Sequence, residues 1–176
     1  MVRVYCADGS GHAAAWALLQ YAWRDLCGGP LPETARTPEG KPWFPGRPEL
    51  HFSLSHADGA VLAMLGDVPC GCDAERVRAV KPGLPARVCS PLELTEFDFF
   101  ELWVLKESYI KLAGRMPAPL PQLCFTRAGA AISGPEPDVR FRLYELPGYR
   151  AAAACRGGPL PERLIRVPAS ALESRA

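Results

Sequence analysis

The sequence lacks a large net charge of either sign, a long apolar segment at its start, and a cysteine pattern typical of disulfide or zinc frameworks. Its 20 Lys and Arg residues nearly balance 19 Asp and Glu residues, which leaves a formal net charge of +1. The overall charge therefore gives no support to nucleic-acid or anionic-membrane binding. Residues 1–6 alternate like a strand, so we expect neither a signal peptide nor a membrane span.

The sequence has seven cysteines, which is an odd number, and no two of them form a Cys-x-x-Cys pair. Such a set is a poor disulfide framework and is typical of a reducing compartment, so we expect a cytoplasmic protein. Cys70 and Cys72 are separated by one residue, but no second Cys or His pair stands at zinc-finger spacing. We interpret both as small buried hydrophobic residues, with structural zinc as the less favoured alternative.

Hydrophobic periodicity predicts an α+β chain in two halves. In residues 1–80, a strand and a helix over residues 10–27 precede three strand-like segments, which we predict to form a β meander over residues 50–75. In residues 81–176, a helix over about residues 95–113 precedes strands that end in a hairpin. Each half would be one main helix packed on a small antiparallel sheet, and the two halves would be pseudo-symmetric parts of one functional unit.

Two acidic residues lie in the last strand of the predicted meander. Asp73 and Glu75 are two residues apart, which places their side chains on one face of the strand together with Gly71. Two carboxylates that converge from a strand suit Mg²⁺ and a bridging phosphate, and Gly71 would leave room for the ligand. The alternative is a solvated strand end with two exposed charges.

A carboxylate also interrupts the apolar face of the predicted long helix. Trp103, Glu107 and Ile110 follow one helical stripe. An unpaired carboxylate on a buried face is costly, which indicates a cation or a proton-transfer partner for Glu107. Lys111 stands one turn later and could pair with it. The alternative is a Glu–Lys pair on a solvent-exposed face.

Two shorter motifs contain groups that could bind a phosphate. Ser55 and His56 end a predicted strand, where a histidine can donate a hydrogen bond to a phosphate. A lone histidine is more often a structural hydrogen-bonding group. Lys41 lies between Gly40 and Pro42 in a proline-rich loop, where a solvated surface lysine is the alternative.

The motifs occur in one order along the chain, namely GKP at residues 40–42, FSLSH at 52–56, GCDAE at 71–75 and WVLKESYIK at 103–111. Their order and spacing resemble the phosphopantetheinyl transferases of the surfactin-synthetase-activating (Sfp) type, in the holo-acyl-carrier-protein synthase superfamily. The resemblance covers about residues 11–156, and its W-x-x-K-E-S-x-x-K element is highly specific.

The resemblance implies an enzyme that transfers 4′-phosphopantetheine from coenzyme A to a serine of an apo acyl or peptidyl carrier protein. Adenosine 3′,5′-bisphosphate would be released. Mg²⁺ would be the cofactor, held by Asp73, Glu75 and Glu107, and the catalytic residues would be Glu107 and Lys111. The residues implied in coenzyme A binding are Lys41, Ser55, His56, Asp73, Lys106 and Lys111, with His12 as a further candidate.

Glu93 has two interpretations that the sequence leaves open. It matches a family acid near the metal, but in Ser90-Pro91-Leu92-Glu93 it also stands where a capping-box glutamate belongs. We expect a monomer with no nucleic-acid or membrane partner. The carrier protein would dock near the junction of the halves, where the apolar and basic candidates are Val80, Leu84, Val88, Leu92, Arg76, Arg78 and Arg87.

The chain departs from the family pattern in ways that bear on nucleotide binding. Ala13 stands where the family has arginine, and Gly114-Arg115-Met116 replaces the usual Gly-Lys-Gly. The basic amino-terminal segment of the family lies outside this sequence, so we expect the 3′-phosphate of coenzyme A to have fewer partners, Lys41 and His56 among them. The alternative functions are a non-catalytic carrier-binding homologue and an unrelated Mg²⁺-dependent phosphate-ester hydrolase.

Overall fold

The computed structural model describes residues 1–172, and the chain in that range is α+β, as predicted. No helix within it is both long enough and apolar enough to span a bilayer. The α-helices are α1 (Gly11–Cys27), α2 (Leu84–Val88), α3 (Glu93–Glu96) and α4 (Phe99–Ala113), with 3₁₀ turns at Leu120–Gln122 and Ala169–Ala171. The strands are β1 (Val2–Asp8), β2 (Ala35–Arg36), β3 (Pro42–Trp43), β4 (His51–Ala57), β5 (Ala60–Gly66), β6 (Cys70–Arg76), β7 (Thr126–Ala128), β8 (Ala131–Ser133), β9 (Val139–Leu146), β10 (Tyr149–Arg156) and β11 (Ile165–Arg166).

The first sheet carries α1 on one face. Within the described residues its strand order is β11-β1-β5-β4, in which β1 pairs antiparallel with β5 and parallel with β11. Apolar residues of α1 recur at helical spacing and form the buried face of the helix. That face packs against Phe44, Phe52 and Val61. The buried residues of α1 are Ala15, Leu18, Leu19, Ala22 and Trp23.

The second sheet carries α4. Its order within residues 1–172 is β6-β10-β9, with antiparallel pairing throughout. The helix begins later than the sequence predicted, because Asp98 and Glu101 form the capping box and Thr95 belongs to α3. Gly114 ends α4 with φ 74°, a left-handed conformation that glycine adopts without strain.

The predicted meander is wrong in its last strand. β4 and β5 form a hairpin, but β6 leaves that sheet and pairs with β10, with Asp73 opposite Ala152. The meander was predicted from neighbouring segments, whereas β10 lies more than seventy residues away along the chain. The pseudo-symmetry of the halves and their boundary at residue 80 stay predictions.

Serine side chains join the two sheets where β4 runs beside β6. The Ser53 hydroxyl accepts a hydrogen bond from the Cys72 amide at 3.0 Å, and the Ser55 hydroxyl accepts one from the Ala74 amide at 3.1 Å. These hydroxyls satisfy amide groups on the edge of β6 opposite β10, which would otherwise be buried without partners. Cys72 is fully buried in an apolar cluster together with Cys70, as predicted for both cysteines.

Gly71 allows α4 to approach β6 directly. A Cβ atom at Gly71 would overlap the carbonyl oxygen of Ser108 and the amide nitrogen of Leu112, both on α4. The expectation that Gly71 leaves room for a ligand is therefore wrong, because helix backbone already fills that space. The close approach brings α4 onto the strand that carries Asp73 and Glu75.

Replacing Gly71 with alanine should destabilise the protein by at least about 3 kcal/mol, since the methyl group has to displace helix backbone. The matched control is Gly46→Ala, where a Cβ meets no atom within 4 Å and the change should stay within about 1 kcal/mol. Urea unfolding followed by circular dichroism measures both. Equal unfolding midpoints for the two variants would contradict the packing argument.

Candidate functional site

A cleft of about 560 Å³ opens between α1 and β4 on one side and β6 and the end of α4 on the other. The segment around β2 and β3 forms its rim. It brings together most of the residues that the sequence predicted for the site. These are His12, Lys41, Ser55, His56, Asp73, Glu75 and Lys111.

Asp73 is the buried acid of this cleft, with 6% of its surface exposed. Its Oδ1 accepts hydrogen bonds from Lys111 Nζ at 2.7 Å and from Ser55 Oγ at 2.8 Å. Its Oδ2 is buried and has no hydrogen-bond partner within the described chain. Burial raises the pKa of Asp73, and the Lys111 ammonium opposes that shift. A buried carboxylate oxygen without a donor is a place for a cation or a proton.

Lys111 crosses the cleft floor from α4 to the strands. Its ammonium donates to Asp73 and to the Leu54 carbonyl at 3.1 Å. Burial would lower the pKa of Lys111, but the Asp73 carboxylate outweighs burial and the pKa is raised. The lysine therefore stays charged and is directed at Asp73, not at Glu107 in a solvent-exposed pair on the helix.

Of the two other predicted acids, Glu75 lines the cleft, whereas Glu107 is outside its lining but near enough for the charges of Asp73, Glu75 and Lys111 to act on it. Glu75 accepts a hydrogen bond from Arg78 at 2.9 Å. Burial raises the pKa of Glu107, and the charges of Asp73 and Glu75 raise it further. No three His, Cys, Asp or Glu side chains in residues 1–172 stand close enough to hold a metal ion. The donors still suit a hard cation, because all are carboxylate oxygens and Asp73 Oδ2 has no partner.

Lys41 is anchored in the cleft wall. Its ammonium donates to the Leu112 carbonyl at 2.7 Å and to the Cys70 carbonyl at 3.3 Å. Burial lowers the pKa of Lys41. Leu112 belongs to the last turn of α4, where carbonyl groups lack helical partners and favour a cation. Lys41 thus lines the cleft while it fastens the GKP loop to the end of the helix.

Lys106 and Glu93 form a separate, fully enclosed ion pair. Lys106 donates to Glu93 at 3.0 Å, to the Leu120 carbonyl at 2.9 Å and to the Leu123 carbonyl at 2.8 Å. All three donors of the ammonium are engaged, so the expectation that Lys106 binds coenzyme A is not supported. Glu93 accepts from the Ser90 amide at 2.7 Å and donates its own amide to the Ser90 hydroxyl at 3.3 Å. These are the contacts of the capping-box interpretation.

The remaining predicted residues differ in whether their polar groups already have hydrogen-bond partners and in how exposed they are. Ser55 is engaged as a donor to Asp73 and as an acceptor from Ala74, whereas His56 is exposed on the cleft lining. His12 Nε2 accepts a hydrogen bond from Trp16 Nε1 at 2.8 Å.

Three other residues line the cleft that were not predicted from the sequence. These are Trp16, Arg36 and Arg115. The sequence could have indicated Trp16, because it stands four residues after His12 on one helix and both side chains therefore lie on the same face. Arg115 was noted only as a departure from the family pattern. No sequence feature near Arg36 predicted that it would line the cleft.

No protein-family model matches the chain. It is 27% identical to 4′-phosphopantetheinyl transferase ffp of Bacillus subtilis over 76% of this chain and 67% of that protein. It is 28% identical to 4′-phosphopantetheinyl transferase Sfp of Bacillus subtilis strain 168 over 73% of this chain and 65% of that protein. It is 35% identical to 4′-phosphopantetheinyl transferase AcpT of Escherichia coli K12 over 48% of this chain and 50% of that protein. The chain spans 32% to 67% of the length of such relatives.

Lys106→Met should lower the free energy of unfolding by about 3–5 kcal/mol, because it leaves the Glu93 carboxylate buried without a cation. The matched variant on the same helix is Lys111→Met, whose charged group is partly exposed to the cleft and whose removal should cost less. Urea unfolding provides the measurement. If Lys106→Met kept full stability and instead weakened coenzyme A binding, Lys106 would be a ligand after all.

Glu107→Gln should change how stability depends on pH. The usual pKa of a glutamate is 4.5 and the folded value here is raised, so between those two values the folded state binds more protons than the unfolded chain. Stability from this group is therefore lost as the pH rises through that window. Without divalent cations, the variant should gain stability relative to wild type from about pH 4.5 to neutral. Urea midpoints across this range, with chelator present, test it, and a constant difference would contradict the raised pKa.

Proposed function

We propose that this chain, which is similar to the Sfp-type 4′-phosphopantetheinyl transferases, transfers 4′-phosphopantetheine from coenzyme A to a serine of an apo acyl or peptidyl carrier protein. Adenosine 3′,5′-bisphosphate would be the second product. The observation that carries the proposal is the Asp73–Lys111 pair with its unpartnered carboxylate oxygen, in the cleft where the family motifs meet.

The charges of the cleft support a phosphate-bearing donor. The cationic side chains of Lys111, Arg36 and Arg115 line a volume of about 560 Å³, within the usual range of small-molecule sites. Arginine and lysine bind phosphate oxygens through charge-assisted hydrogen bonds. The protein as a whole is nearly neutral, so this local set of cations is what would attract coenzyme A.

Mg²⁺ is the cofactor that the acids would hold, with Asp73, Glu75 and Glu107 as its ligands. Asp73 supplies a buried oxygen that no protein donor satisfies. The raised pKa of Glu107 indicates that its charge is poorly compensated by the protein alone. A bound Mg²⁺ would neutralise charge on the acids and on the pyrophosphate.

Lys111 and Glu107 would perform the remaining chemistry. Lys111 stays protonated and lies next to Asp73, so its ammonium can stabilise charge that develops on the transferred phosphate. Glu107 has a pKa shifted upward, which makes it a better proton acceptor than an ordinary carboxylate near neutral pH. It would take the proton from the hydroxyl group of the carrier serine as that oxygen attacks the phosphate.

The carrier would approach along the segment that follows β6. Arg76, Arg78 and Arg87 are exposed there, and Leu92 is 66% exposed, which suits an acidic partner with an apolar patch. Val88 has to be withdrawn from the docking candidates, because it is 3% exposed and belongs to the core under α4. The expectation of a cytoplasmic monomer stays a prediction.

The test combines the chain with coenzyme A, Mg²⁺ and an apo-carrier, and follows the mass of the carrier. We expect addition of phosphopantetheine, its loss on chelation and its return with Mg²⁺. Glu107→Gln should lower turnover by about 100-fold or more. Glu101→Gln should not, because Glu101 is on the same helix but pairs with Arg127, whereas the charge of Glu107 is coupled to Asp73, Glu75 and Lys111. Carrier binding without a mass increase would favour the non-catalytic homologue. Cleavage of coenzyme A without carrier would favour the hydrolase.

A further inference from the structure

An aromatic side chain on α1 has no role in the chemistry above. His12, Ala15 and Trp16 stand at i, i+3 and i+4 on that helix, and all three line the cleft. Ala15 is small and buried, whereas the Trp16 indole is partly exposed. The α1 wall of the cleft therefore presents one large flat apolar surface to whatever occupies it.

The Trp16 indole is held by two neighbours. Its Nε1–H donates to His12 Nε2 at 2.8 Å, and the two ring centroids are 5.7 Å apart. On another side it packs edge-on against Phe52, with ring centroids 5.9 Å apart and an interplanar angle of 68°. Phe52 is itself buried against Phe44 at 4.5 Å. An indole fixed in this way loses little conformational entropy when a ligand stacks on it.

Two large aromatic side chains of the cleft lining lie apart from its buried ion pair. Trp16 and Phe52 belong to the side formed by α1 and β4, while Asp73 and Lys111 belong to the side formed by β6 and α4. A nucleotide donor has a matching separation, because a flat purine base is joined to anionic phosphates. Aromatic side chains bind nucleobases by stacking, which contributes substantially to affinity for each base.

We propose that Trp16 is the stacking surface for the purine base of the nucleotide donor, and that His12 is a positioning residue that holds the indole. The inference rests on the proposed function, since it takes coenzyme A as the donor. The phosphates then lie toward Lys111, on the side formed by β6 and α4. The competing occupant of the α1 side is the pantetheine arm, which is also largely apolar but is not flat.

Binding of two partial ligands separates these occupants. Adenosine 3′,5′-bisphosphate has the base without the arm, and 4′-phosphopantetheine has the arm without the base. Trp16→Leu should weaken binding of the bisphosphate by roughly fivefold to a hundredfold and leave binding of 4′-phosphopantetheine unchanged. The bisphosphate should quench tryptophan fluorescence in wild type and much less in this variant. Trp43→Leu, which removes a 39%-exposed tryptophan outside the cleft lining, is the matched control and should keep the quenching.

His12 has its own test. His12→Ala should reduce the quenching and weaken bisphosphate binding, and His12→Gln, which retains a hydrogen-bond acceptor for the indole, should restore part of both. In the transfer assay Trp16→Leu should raise the KM for coenzyme A while kcat stays close to wild type.

The outcomes separate the inference from the proposed function. Unchanged bisphosphate affinity in Trp16→Leu overturns the inference, and so does a loss that falls on 4′-phosphopantetheine instead. Bisphosphate binding that depends on Trp16, in a protein that never modifies a carrier, supports the base site and overturns the transferase proposal.

Discussion

The edge of β6 is the constraint on which the rest of the structure depends. On one side this strand pairs with β10, and on the other its amides are satisfied by the hydroxyls of Ser53 and Ser55 from a different sheet. On its face, Gly71 admits the backbone of α4. One strand therefore fixes the positions of both sheets and of the second main helix. Asp73 lies in the middle of that strand and bonds to Ser55 and Lys111, so its carboxylate belongs both to the packing and to the cleft.

Two paired lysines on α4, one buried and one partly exposed, show how a structural ion pair differs from a site. Lys106 and Glu93 lie inside the core, and every donor of the lysine has an acceptor. Lys111 and Asp73 make an equally short contact, but one carboxylate oxygen is left without a partner. An unsatisfied buried oxygen is costly to a folded protein, and burial and neighbouring acids also raise the pKa of Glu107. The first pair is complete as it stands, whereas the second gains from an added cation.

The sequence predicted what depends on neighbouring residues and missed what depends on distant ones. Both main helices and the β4–β5 hairpin followed from periodicity and turn residues. The convergence of Asp73 and Lys111 on one cleft was implied by the family resemblance of the motifs, whereas the helical pattern alone paired Lys111 with Glu107. The pairing of β6 with β10 could not, because an apolar strand has no local mark of its partner. The burial of Lys106 was not foreseen for a related reason. Its position on the helix was known, but the core carbonyls that surround it come from residues 120 and 123.

The cleft lies where the two sheets meet, so ligand binding there is linked to the stability of the fold. Its walls come from both main helices, α1 through Trp16 and α4 through Lys111. A donor that contacts both walls is bound only when the two sheets are joined, so its binding free energy adds to the stability of the joined state. The unsatisfied oxygen of Asp73 lowers the stability of the free protein at the same place. With the proposed cation and nucleotide bound, the stability that the free protein forgoes there would be recovered, and the same side chains would serve packing and chemistry.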